Sequence, residues 1–217
     1  WNCYANTGEG VTEEIVLDAA RAMSEKLAPA GYEYINLDCG WSTKHRDPQT
    51  GLLQVNTSRF PHGMKWLGDQ IHKLGLKFGI YSDSGLTACE GFPGSQGYEE
   101  LDAATYASWG VDFLKYDFCN DKRPAREAYS RMARALQSTG RDIRFSLCSW
   151  GAGAPWQWGA TVGHSWRTGR DLFAAWDGTA VKALGLPNYL QSVLEAADDG
   201  KEERAARHVS VDDSDVI

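Results

Sequence analysis

Four aspartates stand where short apolar runs hand over to polar residues: Asp38 after Tyr32 to Leu37, Asp83 after Lys77 to Tyr81, Asp117 after Val111 to Tyr116, and Asp171 just beyond Ser165-Trp166-Arg167. Two carboxyl groups facing each other across a sugar ring can break a glycosidic bond. A gap of about 5–5.5 Å suits a covalent, configuration-retaining route, and a wider gap suits inversion through water. In Lys115-Tyr116-Asp117 an ammonium beside the carboxylate would keep it ionised, as a nucleophile requires. The same triplet also fits a plain strand-end salt bridge. Asp171 is the candidate partner. Its neighbours Arg167 and Arg170 favour the anion, so the residues alone leave open whether it donates a proton. Asp38 and Asp83 could accept paired hydrogen bonds from sugar hydroxyls, and Trp1, Trp41, Tyr81 and Trp150 could cover the apolar face of a ring. Each aromatic taken singly fits core packing better, but together at strand ends they point to a sugar.

These residues need a frame that brings strand ends together. The chain alternates apolar runs with helical patterns, which predicts β/α units around a parallel sheet. Helices are expected over Val11 to Leu27 (with Val11, Ile15, Ala19, Met23 and Leu27 inward), from Pro61 to Leu74, from Tyr98 to Trp109, and from Pro124 to Leu136, each closed by a glycine (Gly31, Gly75, Gly110, Gly140). Strands follow at Tyr32 to Leu37, Lys77 to Tyr81, Val111 to Tyr116 and Ile143 to Leu147, with a shorter unit at Ser165 to Arg167 and the Trp1 region as the first strand. If the strands close into a (β/α)8 TIM barrel, all their carboxyl ends open on one face. A doubly wound sheet is the rival, but no G-x-G-x-x-G or Walker loop follows the first strand. Eight units usually occupy about 250 residues. In these 217 residues the last two units are expected to be missing or degenerate, with 178–217 an unassigned helical tail of one single domain, 1–217.

Composition narrows the function further. A net charge of −7 without a basic cluster argues against nucleic acid or an anionic membrane as partner. No apolar run reaches the roughly 18 residues of a membrane span. The five cysteines show no C-x-x-C spacing and the five histidines no metal-ligand spacing, so no metal and no cofactor are expected. Asn56-Thr57-Ser58 matches a glycosylation sequon.

Several ordered strings resemble glycoside hydrolase family 27, the α-galactosidases and α-N-acetylgalactosaminidases, and the fungal members most. They are Trp1-Asn2, Ala30-Gly31-Tyr32-Glu33-Tyr34, Leu37-Asp38-Cys39-Gly40-Trp41, Arg59-Phe60-Pro61, Leu76 to Asp83, Gly91-Phe92-Pro93-Gly94-Ser95, Trp109-Gly110-Val111-Asp112, Leu114-Lys115-Tyr116-Asp117 and Ser165-Trp166-Arg167, and the likeness runs from Trp1 to about Asp177. The resemblance implies a retaining hydrolase of terminal α-D-galactose, with Asp117 as nucleophile and Asp171 as acid/base. It implies that Trp1, Asp38, Tyr81, Lys115, Ser149 and Arg167 hold the sugar. It also implies a Cys89–Cys119 disulfide beside the nucleophile, a possible second bridge Cys3–Cys39 with Cys148 left free, and hence a secreted protein.

Three features depart from the family pattern. Asp38-Cys39 stands where many relatives carry two aspartates, an arginine precedes Asp171 where glycine is common, and the strings stop before the seventh and eighth strands. Ser149 and Ala152 match the loop that meets the sugar 2-substituent, and their small size is compatible with an acetamide. The alternatives are therefore an α-N-acetylgalactosaminidase and a family member without activity. A barrel enzyme of metal or phosphate chemistry lacks ligand clusters. Oligomeric state is not readable.

Overall fold

The computed structural model describes residues 1–169 and 171. The expected late strands and the helical tail, 178–217, lie outside the described residues. In chain order the elements are α1 (Tyr4–Thr7), α2 (Glu13–Lys26), β1 (Tyr34–Asn36), β2 (Ser42–Arg46), β3 (Leu53–Val55), α3 (Gly63–Lys73), β4 (Lys77–Asp83), α4 (Glu99–Ser108), β5 (Phe113–Asp117), α5 (Ala125–Ser138), β6 (Arg144–Cys148) and β7 (Ser165–Trp166).

One sheet carries the fold, in the order β1-β4-β5-β6-β7, with every pairing parallel. The Trp1 region adds a further rung at the β1 edge through a parallel bridge from Asn2 to Asn36. Each strand is laid beside its predecessor, always on the same side. A doubly wound sheet reverses its strand order at a switch point. This sheet does not, which removes the rival architecture and matches the winding of a β/α barrel, with the helices on one face.

Alternation along each strand then sorts the side chains. Ile35, Phe78, Ile80, Leu114, Tyr116, Phe145 and Leu147 are buried in the apolar core. Tyr116, Tyr129 and Phe145 meet there at ring separations of 5.6–6.1 Å, with Trp158 against Tyr129. The intervening residues, Tyr81, Lys115, Ser146 and Ser165, pair across the sheet and form one layer on the opposite face. Asp83, Asp117 and Cys148 form the next layer toward the strand ends. Gly79 in β4 is required sterically: a Cβ there would lie 1.7 Å from Asn36 Oδ1.

The helix predictions hold with one rotation. Met64, Leu67 and Ile71 of α3 and Ala125, Tyr129, Met132 and Leu136 of α5 are buried. In α2 the buried stripe is Val16, Ala20 and Met23, whereas Ile15 and Leu27 are exposed. A strict four-residue spacing advances about 40° per step around a helix, so the expected series drifts off its own face. The antiparallel hairpin β2–β3 was not expected.

Candidate active site

The β5 register builds the site. Lys115 and Asp117 are two residues apart, so both point to the same side of the sheet. Asp117 is only 8% exposed. Its Oδ2 accepts the Tyr81 hydroxyl at 3.2 Å and its Oδ1 accepts the Phe118 N–H at 3.0 Å. Burial raises its pKa to about 6, against the pull of Lys115 and with a push from Asp38. The Tyr81 phenol is held far above its ordinary pKa by burial and by Asp117, so it remains a donor.

Lys115 reaches sideways. Its Nζ lies 2.9 Å from Asp38 Oδ2, a pair in which both side chains are buried. Asp38 Oδ2 also accepts from Asn2 Nδ2 at 2.9 Å, and its Oδ1 accepts the Cys39 N–H at 2.9 Å. The first residues are held by Trp1, whose backbone nitrogen donates to the Tyr34 carbonyl at 2.8 Å and whose carbonyl accepts the Asn36 N–H. Three remote segments therefore converge on one line of charge: Asn2, Asp38, Lys115.

A second line leaves Asp117 in the other direction. The Cys148 side chain is its register partner across β5 and β6, and its proximity favours the Asp117 anion. Arg167 Nη1 in turn reaches Cys148 Sγ at 3.6 Å and lies 2.5 Å from Asp171 Oδ1. Asp171 is 46% exposed at its side chain. Cys148 and Arg167 thus lie between Asp117, which is buried, and Asp171, which is half-exposed.

The Cys89–Cys119 disulfide is formed, and a sulfur of it lies within 4.8 Å of the Asp117 carboxylate. The trio Cys89, Asp117 and Cys119 has metal-ligand proximity, but its sulfurs are joined to each other.

Several expectations need correction. Cys3 and Cys39 are separate buried thiols. Cys3 Sγ instead accepts the Asp38 N–H at 3.1 Å, and burial pushes its thiol up to about 11. Ser149 is fully buried and its hydroxyl donates to the Ala152 carbonyl at 3.1 Å, so it shapes its own turn rather than offering a hydroxyl to a sugar. Trp41 is a packing residue: it is buried, donates its indole N–H to the Tyr81 carbonyl and stands edge-on to Trp109. Asp83 has no exposure at all and binds backbone. Trp150 follows β6 in left-handed backbone at φ 52°. Asn2 and Cys148 had been given no role. A cavity of about 710 Å³ between α4 and α5 is lined by none of these groups.

Comparison with known proteins identifies the family of the chain. Residues 1–203 match the family described as Alpha galactosidase A (Melibiase_2). The chain belongs to this family. The match to the α-galactosidase family runs past residue 177, where the likeness read from the sequence was expected to end. "Alpha-galactosidase A" of Cellvibrio japonicus (strain Ueda107) is 47% identical over 180 residues, which is 82% of this chain and 44% of that protein. "Alpha-galactosidase" of Coffea arabica is 46% identical over 186 residues, 84% of this chain and 49% of the relative. The structure of the Saccharomyces cerevisiae α-galactosidase with raffinose superposes with a TM-score of 0.82 at 34% identity, covering 93% of this chain and 48% of that one. The chain spans less than half the length of these family members.

Proposed function

We propose that this chain supplies the catalytic residues of a retaining hydrolase of terminal α-D-galactosides, with Asp117 as nucleophile and Asp171 as acid/base. The observation that carries the reading is the buried Asp117 carboxylate, whose cross-strand neighbour Cys148 contacts Arg167, which in turn pairs with the half-exposed Asp171. Asp117 would attack the anomeric carbon and form a glycosyl ester while Asp171 protonates the departing oxygen. Asp171 would then take a proton from water, and the water oxygen would displace Asp117. Tyr81 and Lys115 restrain the nucleophile by hydrogen bond and charge. Asp38, Lys115, Arg167 and the Trp1 ring would hold the sugar hydroxyls and ring face. Ser149 and Ala152 support room beside the 2-substituent, and galactose remains the first substrate.

The family membership and the relatives' names support a galactoside substrate. The disulfide supports an oxidising, secreted setting. At Asn56, Ser58 Oγ donates to the Asn56 Oδ1 at 2.6 Å in an exposed turn, which supports glycan attachment there. No described helix is long and apolar enough to cross a membrane.

The test is turnover of nitrophenyl α-galactoside, with the anomer first released read by NMR. Asp117→Asn is expected to abolish turnover, because an amide cannot form the ester. The parent protein should release α-galactose. Release of the β-anomer, or activity in Asp117→Asn near the parent level, removes the scheme. Relative turnover of the nitrophenyl N-acetylgalactosaminide tests the substrate preference.

A further inference from the structure

Asp83 is the one strand-end carboxylate that the proposed reaction does not use, yet it is the most deeply placed. We infer that Asp83 is a positioning residue whose ionised carboxylate clamps together the two loops that flank the nucleophile. The inference rests on Asp117 acting as proposed above.

The clamp is visible atom by atom. Asp83 ends β4 beside Asp117, its register partner at the end of β5. Its Oδ1 accepts the Gly85 N–H at 2.7 Å, in the loop after β4. Its Oδ2 accepts the Cys119 N–H at 2.9 Å, in the loop after β5. Cys119 is two residues from Asp117, and the intervening Phe118 N–H donates to the nucleophile. One carboxylate therefore fixes the peptide run that aims Asp117. The rest of the interface is built to the same end. The Cys89–Cys119 disulfide, Asn120 Nδ2 on the Thr87 and Ala88 carbonyls, and Arg123 Nη2 on the Ser84 carbonyl tie the same two loops. Gly85 lies so close to the Asn120 backbone that a Cβ would approach it to 2.6 Å.

The clamp works only as an anion. Both of its donors are backbone N–H groups, which cannot reverse. A protonated carboxyl would turn a hydroxyl toward one of them and lose that contact. The groups facing Asp83 are Asp117 and Asp121 from β5 and its loop, Tyr81 from β4 and Tyr129 from α5. Arg123 is already engaged with Asp121 at 2.6 Å. Burial first, then Asp117, raises Asp83 to about 7, against the pull of the Cys119 and Gly85 amides. Nucleophile geometry should accordingly loosen as pH falls below that value.

Two measurements decide this on the full chain. In the first, kcat/KM for nitrophenyl α-galactoside is followed against pH. The parent's acid limb is expected to steepen toward a slope of two, from Asp83 and Asp117 together. In Asp83→Asn one unit of slope should vanish, with kcat lowered about 10- to 100-fold at pH 7.5 and KM within about twofold, since Asp83 touches no substrate. In the second, amide hydrogen exchange of the parent protein is corrected for intrinsic rate. Gly85 and Cys119 should be at least about tenfold more protected at pH 8 than at pH 5.5. An unchanged limb and kcat in Asp83→Asn, or protection independent of pH, overturns the clamp. The exchange arm needs no turnover. Failure of galactoside hydrolysis with the expected exchange pattern would sink the enzymatic reading and leave the clamp standing.

Discussion

At the scale of single residues, the site is a set of buried charges that oppose folding as much as they support it. Lifting the Asp117 acid from 3.8 to about 6 corresponds to on the order of 3 kcal/mol of folding free energy lost at neutral pH. Asp117→Asn removes that charge. The Tyr81 hydroxyl can turn to accept from the new amide, but the Phe118 N–H and the amide nitrogen compete for orientation, so the net gain should be about 1 kcal/mol. The inactive variant should therefore melt roughly 2–4 °C above the parent at pH 7.5, and by less at pH 5, where Asp117 is already largely neutral. A lower melting temperature in calorimetry would contradict this. Lys115→Met should act in the opposite direction. It strands Asp38, 2% exposed, without its cation, and breaking a buried pair from one side typically removes about 3–5 kcal/mol. Urea unfolding of that variant checks the figure, and a loss under about 1 kcal/mol would mean that Asn2 and the Cys39 amide suffice to hold the anion.

At the scale of elements, the parallel register turns sequence spacing into a site, and it also explains which parts were legible beforehand. The pairs Lys115/Asp117 and Arg167/Asp171 could be seen because each belongs to one short stretch beside an apolar run. The contacts of Cys148 and Asn2 could not, because they depend on which residues sit opposite each other across β5, β6 and the β1 edge. Ser42 to Arg46 hid a strand because its residues, Ser-Thr-Lys-His-Arg, carry no apolar alternation; the hairpin is positioned by contacts outside its own sequence, such as Arg46 on Asp102 at 2.6 Å. Glycine positions raise the same issue. Gly79 reads as one more strand residue until Asn36, whose side chain fills the space a Cβ would occupy, is placed against it. Gly79→Ala should then destabilise by about 1–3 kcal/mol through overpacking. Adding Asn36→Ala should recover more than half of that loss, because the clash is with the Asn36 side chain. Additive losses in the double-mutant cycle would place the strain in the backbone instead.

At the scale of the whole molecule, stability and chemistry ask for different pH. Asp83 and Asp117 have folded-state pKa values of about 7 and about 6, both raised chiefly by burial above 3.8. A group raised in this way stabilises the fold fully below its unfolded value, and that contribution is lost as pH rises through the folded value. Both therefore predict falling stability from about pH 4 to pH 7. Asp121 is lowered on balance by Arg123 despite the opposing effect of burial, so its contribution is lost instead as pH drops below 3.8. The melting temperature should accordingly peak near about pH 4. Hydrolysis by an ionised Asp117, aimed by an ionised Asp83, should rise across the same interval in which stability declines. A scan of melting temperature and of kcat/KM over pH 4–8 should show the two curves crossing, with their maxima at least about one pH unit apart. Coincident maxima would mean that neither buried carboxylate needs its charge for turnover, and that the strand-end anions serve the fold rather than the reaction.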